Sequence, residues 1–412
     1  MRVAKTKLAV NKKTIIIFFL LLPILKPTSG ALSALFGEYT ADLMYSCLRL
    51  YNYVVVAVTI FLFVRKKAWR KNWSTLIVFL LSLVLIVSSV KMENISYNYL
   101  YEVFGNIIII FLLGNIYAGK NIYYYIEAVY YYLTILMILN SVSILLYYPE
   151  GMYASGANTN YYLFGLDNVG FMYTLTGFFM GQLYHVLKEG KPSIKFYIIY
   201  ALISSVYIYV GTGTGTVVIL ACVGLCILYH MDLLRKVNIR LTILACIIAY
   251  IFIVVFQSLG IFEWILGFID KSANFNGRTY IWAAMFRALP EHLWTGFGIS
   301  TEITGNYLSR YGMGLKWLEG IGHLHNIVLE FLFRGGIIGL ILFVLFWVSV
   351  QKKMEKYDHT PIASLLCVQM ILQWITCMFE YRIDTYTFWL VPMCMCEINS
   401  IVLFDEKGRY HT

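Results

Sequence analysis

Apolar stretches of about twenty residues recur along almost the whole chain of 412 residues. Each is long enough to cross the ~30 Å hydrocarbon core of a bilayer as an α-helix, which satisfies its own backbone hydrogen bonds. The composition agrees, because 60% of the residues are hydrophobic and only 13% are charged. The sequence therefore predicts an all-α integral membrane protein and argues against a soluble domain.

Twelve such stretches are found, and we interpret each as one transmembrane helix of a single bundle. Lys26 and Pro27 interrupt the first, whose basic start and small-residue end also fit a cleavable signal peptide. We favour a retained helix, since the lysine side chain can reach the outer rim of the membrane. The stretches are residues 14–36, 43–64, 73–90, 99–117, 123–148, 162–185, 195–210, 212–230, 241–260, 326–350, 361–380 and 386–404.

Basic residues predict the orientation of the bundle, because Lys and Arg are retained on the cytoplasmic side. With the amino terminus inside, 22 of the 32 Lys and Arg residues fall in inner segments, such as RKKAWRK at residues 65–71. Both termini are then cytoplasmic. The net charge of +10 follows from this topology and from anionic lipid nearby, so nucleic acid is not an expected partner.

One long connection divides the chain into three parts. Residues 1–260 carry helices 1–9, residues 261–322 form an extracytoplasmic loop with short helices, and residues 323–412 carry helices 10–12. Connections of this length are usually functional. The loop also holds basic residues against the positive-inside bias, so we expect an anionic ligand on the outer face. These residues are Lys271, Arg278, Arg287, Arg310 and Lys316.

The sequence GIGHLHNIVLEFLFRGG at residues 320–336 places ionisable residues where a membrane helix begins. Glu330 and Arg334 are four residues apart, so they share a helix face and can form an ion pair. Arg334 lies about 14 Å beyond His325 along a helix, at a depth where an unpaired arginine is costly. A structural ion pair and the floor of an outward-open, water-filled cavity both explain the pair. We favour the cavity, because His323 and His325 lie at its mouth and glycines follow.

Three motifs in the last third of the chain resemble the successive signatures of one family. NGRTYIW at residues 276–282, WTGFGIS at 294–300 and HLHNIVLEFLFRGGIIG at 323–339 are similar to motifs of the O-antigen ligase and O-antigen or capsule polymerase (Wzy-type) family. FGLDNVGFM at 164–172 resembles an Asn-containing span of the same family. The order and the spacing of the motifs agree with the family pattern.

Two positions depart from that pattern. GTGTGT at residues 211–216 stands where family members often carry a Ser-Arg pair, so a second anion-binding arginine is missing there. Arg334 occupies a place where an acidic residue is more usual.

The resemblance implies a GT-C-like bundle in the bacterial cytoplasmic membrane, with an extracytoplasmic active site and no metal or other cofactor. Its implied activity is that of a polysaccharide polymerase, which transfers a polyprenyl-pyrophosphate-linked glycan onto a hydroxyl of another repeat unit. Implied partners are this lipid-linked oligosaccharide, membrane lipids and assembly proteins such as a flippase and a chain-length regulator. A ligase acting on a lipid or other acceptor and a flippase or transporter are the alternatives. We prefer the polymerase, because the missing Ser-Arg pair is unlike a ligase and no internal repeat indicates a transporter.

Arg278 is the first candidate to bind the diphosphate, because a guanidinium offers a planar fork of donors and stays charged. We expect it at the start of a short helix that begins at residue 276 or 277. Arg287 lies nine residues later, nearly on the opposite helix face, and lipid contact is its alternative role. By family position His325 is the candidate general base, with His323 as the second.

Four further residues complete the predicted site. Glu330 is a catalytic candidate, while Arg334, Asn326 and Asp167 are substrate-binding candidates. Asn326 has an alternative role as a helix cap, and Asp167 as a structural carboxylate. No Asp-x-Asp pair for a divalent metal is present, and all eight cysteines fall in predicted spans, so neither a metal site nor a disulfide framework is expected.

The topology is testable with reporter fusions. A phosphatase that is active only outside the cytoplasm should be active when fused after residue 300, and a fluorescent reporter fused there should be dark. Fusions after residue 236 should give the reverse pattern and serve as the internal control. Fluorescence at residue 300 would contradict an extracytoplasmic loop and an outer active site.

Overall fold

Most of the described α-helices overlap the predicted apolar stretches. The structure, a computed structural model, describes residues 11–67, 72–92, 97–155, 158–211, 213–231, 237–252, 277–383 and 385–408. Its α-helices are α1 (Lys12–Leu21), α2 (Ser29–Phe36), α3 (Glu38–Arg65), α4 (Trp73–Lys91), α5 (Tyr97–Ile116), α6 (Ile122–Tyr147), α7 (Asp167–Glu189), α8 (Ile194–Tyr209), α9 (Gly213–His230), α10 (Ile239–Tyr250), α11 (Arg278–Ala288), α12 (Thr301–Tyr311), α13 (Ile327–Met354), α14 (Pro361–Glu380), α15 (Leu390–Cys396) and α16 (Ile398–Gly408).

Several of these helices have the length and composition of membrane spans. Within the described residues five qualify, and a sixth does if α15 and α16, which meet at a 61° bend, form one span. The prediction of an all-α membrane protein is thus confirmed in outline. Twelve spans are not confirmed, because helices such as α8 and α10 are apolar but shorter than a full crossing.

The first predicted span, residues 14–36, is wrong as a single helix. It consists of α1 and α2, which are separated by a connection containing Pro23 and Pro27. Proline has no backbone N–H and blocks the preceding helical turn, so the helix ends before them. The hydroxyl of Tyr132 occupies the gap, where it accepts from the Leu25 N–H at 3.2 Å and donates to the Leu25 carbonyl at 2.5 Å.

A small antiparallel sheet is a second departure from the all-α expectation. Its strands are β1 (Tyr153–Ser155), β2 (Asn158–Tyr162) and β3 (Gly165–Leu166), in the order β1-β2-β3. Tyr161 is paired with Tyr153 on one side and with Leu166 on the other. The predicted span that starts at residue 162 therefore begins as strand and turn, and α7 starts only at Asp167.

The described part of the long loop, from residue 277 onward, has its own hydrophobic core. It contains the short helices α11 and α12, and a short 3-10 helix follows each of them. Trp282, Met285, Phe297 and Leu318 are buried together with Phe333 of α13. Phe297 stacks on Phe333 with ring centroids 4.3 Å apart, so the loop is packed onto the first half of α13.

α13 is broken at Gly336, whose φ is 62° and ψ is −162°. In an unbroken helix the amides of residues 337 and 338 would donate to the carbonyls of residues 333 and 334. Those carbonyls instead accept from Phe297 and Gly298, at 2.9 and 3.0 Å. The two amides donate to Leu293 and Trp294, at 2.8 and 3.3 Å. The loop therefore satisfies these four backbone groups at the break, as the interior of a membrane helix bundle requires.

The loop approaches α13 and α4 too closely for side chains at its glycines. A Cβ at Gly296 would lie 2.4 Å from the Arg334 carbonyl carbon, and one at Gly298 would lie 2.5 Å from the Ser89 Cα. Both glycines also have positive φ. On α4, Ser88 donates to the Thr295 carbonyl and the Ser89 hydroxyl accepts from the Ile299 amide at 3.0 Å. The motif WTGFGIS thus has a structural reason for both glycines.

Substituting Gly336 tests this arrangement. We expect Gly336→Ala to destabilise the protein by about 3 kcal/mol, because its backbone conformation is nearly closed to other residues and because a Cβ would lie 2.4 Å from the Trp294 carbonyl. Thermal unfolding of the detergent-purified protein would measure the effect. Gly224→Ala is the control, since nothing lies within 4 Å of a Cβ at this helical glycine, and it should retain or slightly raise stability. Equal melting temperatures for wild type and Gly336→Ala would contradict the analysis.

Candidate active site

Arg278 is the first residue of α11, which starts one or two residues later than predicted but has Arg278 at its amino end, as expected. Gly277 precedes it with a φ of 86°, a left-handed conformation that suits glycine. The Arg278 Nη2 donates to the Glu380 Oε1 at the end of α14. The two side chains are 14% and 12% exposed, so the ion pair is largely but not fully withdrawn from solvent.

His325 shares the same carboxylate. Its Nδ1 lies 3.6 Å from the Glu380 Oε2, and its side chain is 28% exposed. The backbone at His325 has a φ of 56°, which is uncommon for a residue other than glycine, and it forms an antiparallel bridge with Tyr381. Glu380 therefore lies between an imidazole and a guanidinium. We call Arg278, His325 and Glu380 the outer cluster.

Glu330 and Arg334 form the predicted ion pair in the interior. The Arg334 Nε donates to the Glu330 Oε2 at 2.5 Å, and both side chains are fully buried. His323 lies beside them, with its Nδ1 3.6 Å from the Glu330 Oε1 and 3.4 Å from the Arg334 Nη2. We call these three residues the inner network.

Backbone groups complete the inner network. The Arg334 Nη1 donates to the Gly298 carbonyl at 3.2 Å and its Nη2 donates to the Gly322 carbonyl at 2.8 Å. The Glu330 Oε1 accepts from the Leu324 amide at 2.9 Å. A buried charge requires such partners. This geometry favours the structural ion pair over the floor of an open cavity, and direct contact of either residue with substrate stays a prediction.

The two histidines expected at one mouth belong to different clusters. Residues 321–326 precede the helix, with His323 joining the inner network and His325 the outer cluster. Leu324 lies between them, fully buried, and its carbonyl accepts from the Trp282 Nε1 at 2.9 Å. Asn326 caps α13, since its Oδ1 accepts from the Val328 and Leu329 amides at 3.1 and 3.2 Å. The capping role anticipated for Asn326 is confirmed.

The other predicted site residues lie elsewhere. Arg287 is exposed near the end of α11, and its Nη1 donates to the Tyr311 carbonyl at 3.2 Å. It does not share the carboxylate that pairs with Arg278. Asp167 is the first residue of α7, and its side chain lies outside the described part of the structure. Substrate contacts of these two residues stay predictions.

A cavity of about 310 Å³ lies among the segments around Lys26, Tyr45, Tyr161 and Arg382. Arg382, two residues after Glu380, lines it together with Lys26 and the aromatic rings of Tyr45 and Tyr386. The Lys26 Nζ lies 4.1 Å from the centroid of the Tyr45 ring. The cavity offers cations and aromatic faces, which suit an anionic or glycan ligand.

His292 in the loop is a packing residue. Its ring lies edge-on to Phe297, with centroids 4.9 Å apart, and its Nε2 is 3.5 Å from the Tyr307 hydroxyl. Burial lowers the pKa of His292, and the nearby Lys91 ammonium lowers it further. Both effects favour the neutral ring, which suits its contact with Phe297.

Sequence reasoning missed Glu380. The residue closes the predicted span 361–380 and is followed by Tyr381 and Arg382. A carboxylate in the last turn of an otherwise apolar helix was the available signal, because ionisable residues at such positions are usually paired or functional. Its partners are far away in sequence, so spacing alone does not reveal them.

Among the described residues, no group of three or more His, Cys, Asp or Glu side chains has the arrangement of a metal site. The cysteines are all free, and five of the eight are buried. The predicted role of the cysteines as packing residues agrees with their burial.

A double-mutant cycle tests the inner ion pair. Arg334→Met leaves a buried carboxylate without a counter-ion, and we expect a loss of about 3–5 kcal/mol in the free energy of unfolding. Glu330→Gln should cost a similar amount for the reverse reason. The double variant should regain at least ~2 kcal/mol relative to Arg334→Met, because no buried charge remains. Unfolding in detergent followed by tryptophan fluorescence would measure this, and strictly additive losses would exclude the pair as described.

Comparison with known proteins agrees with the sequence motifs. Residues 199–344 match the family model described as O-antigen ligase. This segment includes Arg278, His325, Glu330 and Arg334, while Glu380 lies beyond it. No curated protein sequence matches the chain significantly. The resemblance found in the motifs is thus confirmed for this segment, in a chain with several helices long and apolar enough to cross a membrane.

Proposed function

We propose that the protein is a polysaccharide polymerase that joins repeat units carried on polyprenyl pyrophosphate at the outer face of the bacterial cytoplasmic membrane. Enzymes of the matched family are glycosyltransferase-like ligases or polymerases, and the family implies a lipid-linked polysaccharide substrate. The observation that carries the proposal is the outer cluster. In it the Glu380 carboxylate, at the end of α14, holds the Arg278 guanidinium and lies beside the His325 imidazole, just before α13.

Arg278 stabilises the leaving group in this proposal. Attack by an acceptor hydroxyl on the anomeric carbon breaks the bond from that carbon to the diphosphate, which departs with the polyprenyl chain and gains negative charge. A guanidinium has five N–H donors, and Glu380 uses the Nη2 end of Arg278. Within the described residues Arg278 makes no further hydrogen bond, so its other donors are open to phosphate oxygens. No metal ion is needed for this stabilisation, because a fixed cation meets the growing charge.

His325 removes the acceptor proton in this proposal. Its imidazole is partly exposed, and the nearby Glu380 carboxylate stabilises the imidazolium that forms when the hydroxyl proton is transferred. The distance of 3.6 Å from His325 Nδ1 to Glu380 is longer than a hydrogen bond, and such catalytic contacts often shorten when substrate binds. The left-handed backbone at His325 fixes the ring beside Glu380 and fits a functional constraint.

The inner network positions the outer cluster. Arg334 connects α13 to the carbonyls of Gly298 and Gly322, and Glu330 holds the amide of Leu324, one residue before His325. These contacts leave little freedom to the segment that carries the proposed base. Glu330 and Arg334 are thereby positioning residues in the proposal, with Asn326 as the cap that starts α13.

An O-antigen ligase is the second candidate function, because that is the description of the matching family model. The two activities share the donor and the chemistry, and they differ in the acceptor. A polymerase transfers the growing glycan to another lipid-linked repeat unit, and a ligase transfers it to a lipid core or another acceptor. The departure GTGTGT at residues 211–216 supports the polymerase.

Substitutions in the outer cluster test the proposal. Arg278→Gln, His325→Gln and Glu380→Gln should each reduce glycan transfer by about a hundredfold or more, since each removes a charge or base used in the transition state. In cells, the polysaccharide ladder should collapse to single repeat units. With purified protein and a polyprenyl-pyrophosphate oligosaccharide, chain length measured by mass spectrometry should fall in the same way.

Arg310→Gln is the matched control, because Arg310 is an exposed cation of the same loop that pairs with Glu291. It should retain ladder length. Membrane levels of every variant must equal the wild type. Wild-type ladders from Arg278→Gln would refute its role, transfer to a lipid core without elongation would establish the ligase, and translocation without transfer would refute both activities. A chelator should leave elongation unchanged.

A further inference from the structure

A second cavity, of about 590 Å³, lies among the helix ends predicted to face the cytoplasm. The end of α3, the end of α5, the turn after α13 and the start of α16 contribute to its wall. In the charge-based topology these segments all lie on the inner side. The outer cluster and the 310 Å³ cavity contain none of its lining residues, so the two sites are separate.

The cavity carries an excess of positive charge. Lys66, Lys353 and Lys356 line it, and Glu397 is the only carboxylate among its described lining residues. Glu397 is mostly buried and already engaged, since its Oε1 accepts from the Asn72 Nδ2 at 2.6 Å and its Oε2 accepts from the Ser400 hydroxyl at 3.3 Å.

The lysines are held by neutral groups. Lys353 donates to the Asn72 Oδ1 and, at 3.1 Å, to the Cys396 carbonyl. Lys66 donates to the Ile116 carbonyl at 3.2 Å. In the part of the chain that the structure describes, neither these ammonium groups nor that of exposed Lys356 forms an ion pair with a carboxylate. The cavity therefore offers three cations against one buried carboxylate, Glu397, an excess of two positive charges.

Apolar side chains accompany these cations. Ile116 and Ile398 line the same cavity, and so does Leu403, which is 44% exposed. A free phosphate ion would gain nothing from this apolar surface. A glycerophospholipid would contact it with its glycerol and upper acyl carbons while its phosphate meets the lysines. Basic pockets between membrane helices on the cytoplasmic side are known to bind anionic headgroups in this way.

We propose that this cavity binds the headgroup of an anionic glycerophospholipid from the cytoplasmic leaflet. The proposal rests on the charge-based topology and is independent of the transfer reaction. A lipid held here would contact both α3 and α13, which carries the inner network in its outer half. It would thus stabilise the bundle from the face opposite to the outer cluster.

Native mass spectrometry of the detergent-purified full-length protein tests the proposal. With equal amounts of phosphatidylglycerol and phosphatidylcholine added, the wild type should retain phosphatidylglycerol preferentially. Lys66→Gln/Lys356→Gln should weaken this retention at least about tenfold, because each lysine near an anionic surface raises the binding affinity about fivefold. Glycerol phosphate or inorganic phosphate at the same concentration should not displace the lipid.

Lys191→Gln/Lys195→Gln is the control, since these exposed lysines lie on the same predicted face, outside the cavity, and change the net charge equally. It should retain lipid as the wild type does. The single Lys356→Gln variant changes an exposed position and should fold normally. It should show a partial loss of lipid retention, which a folding defect would not explain. Equal loss in the control, wild-type retention in both cavity variants, or displacement by free phosphate would overturn the proposal.

Discussion

The guanidinium of Arg334 is the contact on which the arrangement of the outer half depends. It pairs with Glu330 on its own helix and holds two loop carbonyls, so a charge without access to water is fully partnered. The break at Gly336 lies two residues away, and its open backbone groups are bonded by the same loop. The same loop therefore satisfies both the buried charge and the backbone groups at the break, which an apolar bundle requires of each. The inner network also holds the segment that carries His325 of the outer cluster, because Glu330 accepts from the Leu324 amide.

Local sequence pattern was sufficient to predict most helices. α14 runs over residues 361–380 as expected, because an apolar run bounded by Pro361 and by a polar end defines both termini. The pattern was insufficient where tertiary contacts replace helical hydrogen bonds. Tyr132 bridges the break in the first predicted span, and the 293–298 loop bridges the break in α13. Such partners come from remote segments and leave no periodic signal.

The candidate site was also predictable only in part, because some of its contacts join segments that are remote in sequence. Arg278 and His325 were found from family-like motifs, and both lie in the matched region. Glu380, which holds them together, lies after that region and 55 residues from His325 along the chain, so only the folded structure shows the contact. The depth of Arg334 in its helix correctly indicated a charge with a partner. The open cavity was favoured because His323 and His325 were expected at one mouth, but the structure assigns these histidines to separate clusters.

His323 and His325 lie on either side of buried Leu324 and belong to different clusters, so the segment from Gly322 to Asn326 tolerates only one length. Gly322 is held at one end by Arg334, and Asn326 is held at the other as the cap of α13. Insertion or deletion of a single residue between them would shift an imidazole toward the buried place of Leu324 and take at least one histidine away from its carboxylate. The number of residues from Gly322 to Asn326 is therefore a fixed requirement of this segment, and insertions or deletions in related chains should fall outside it.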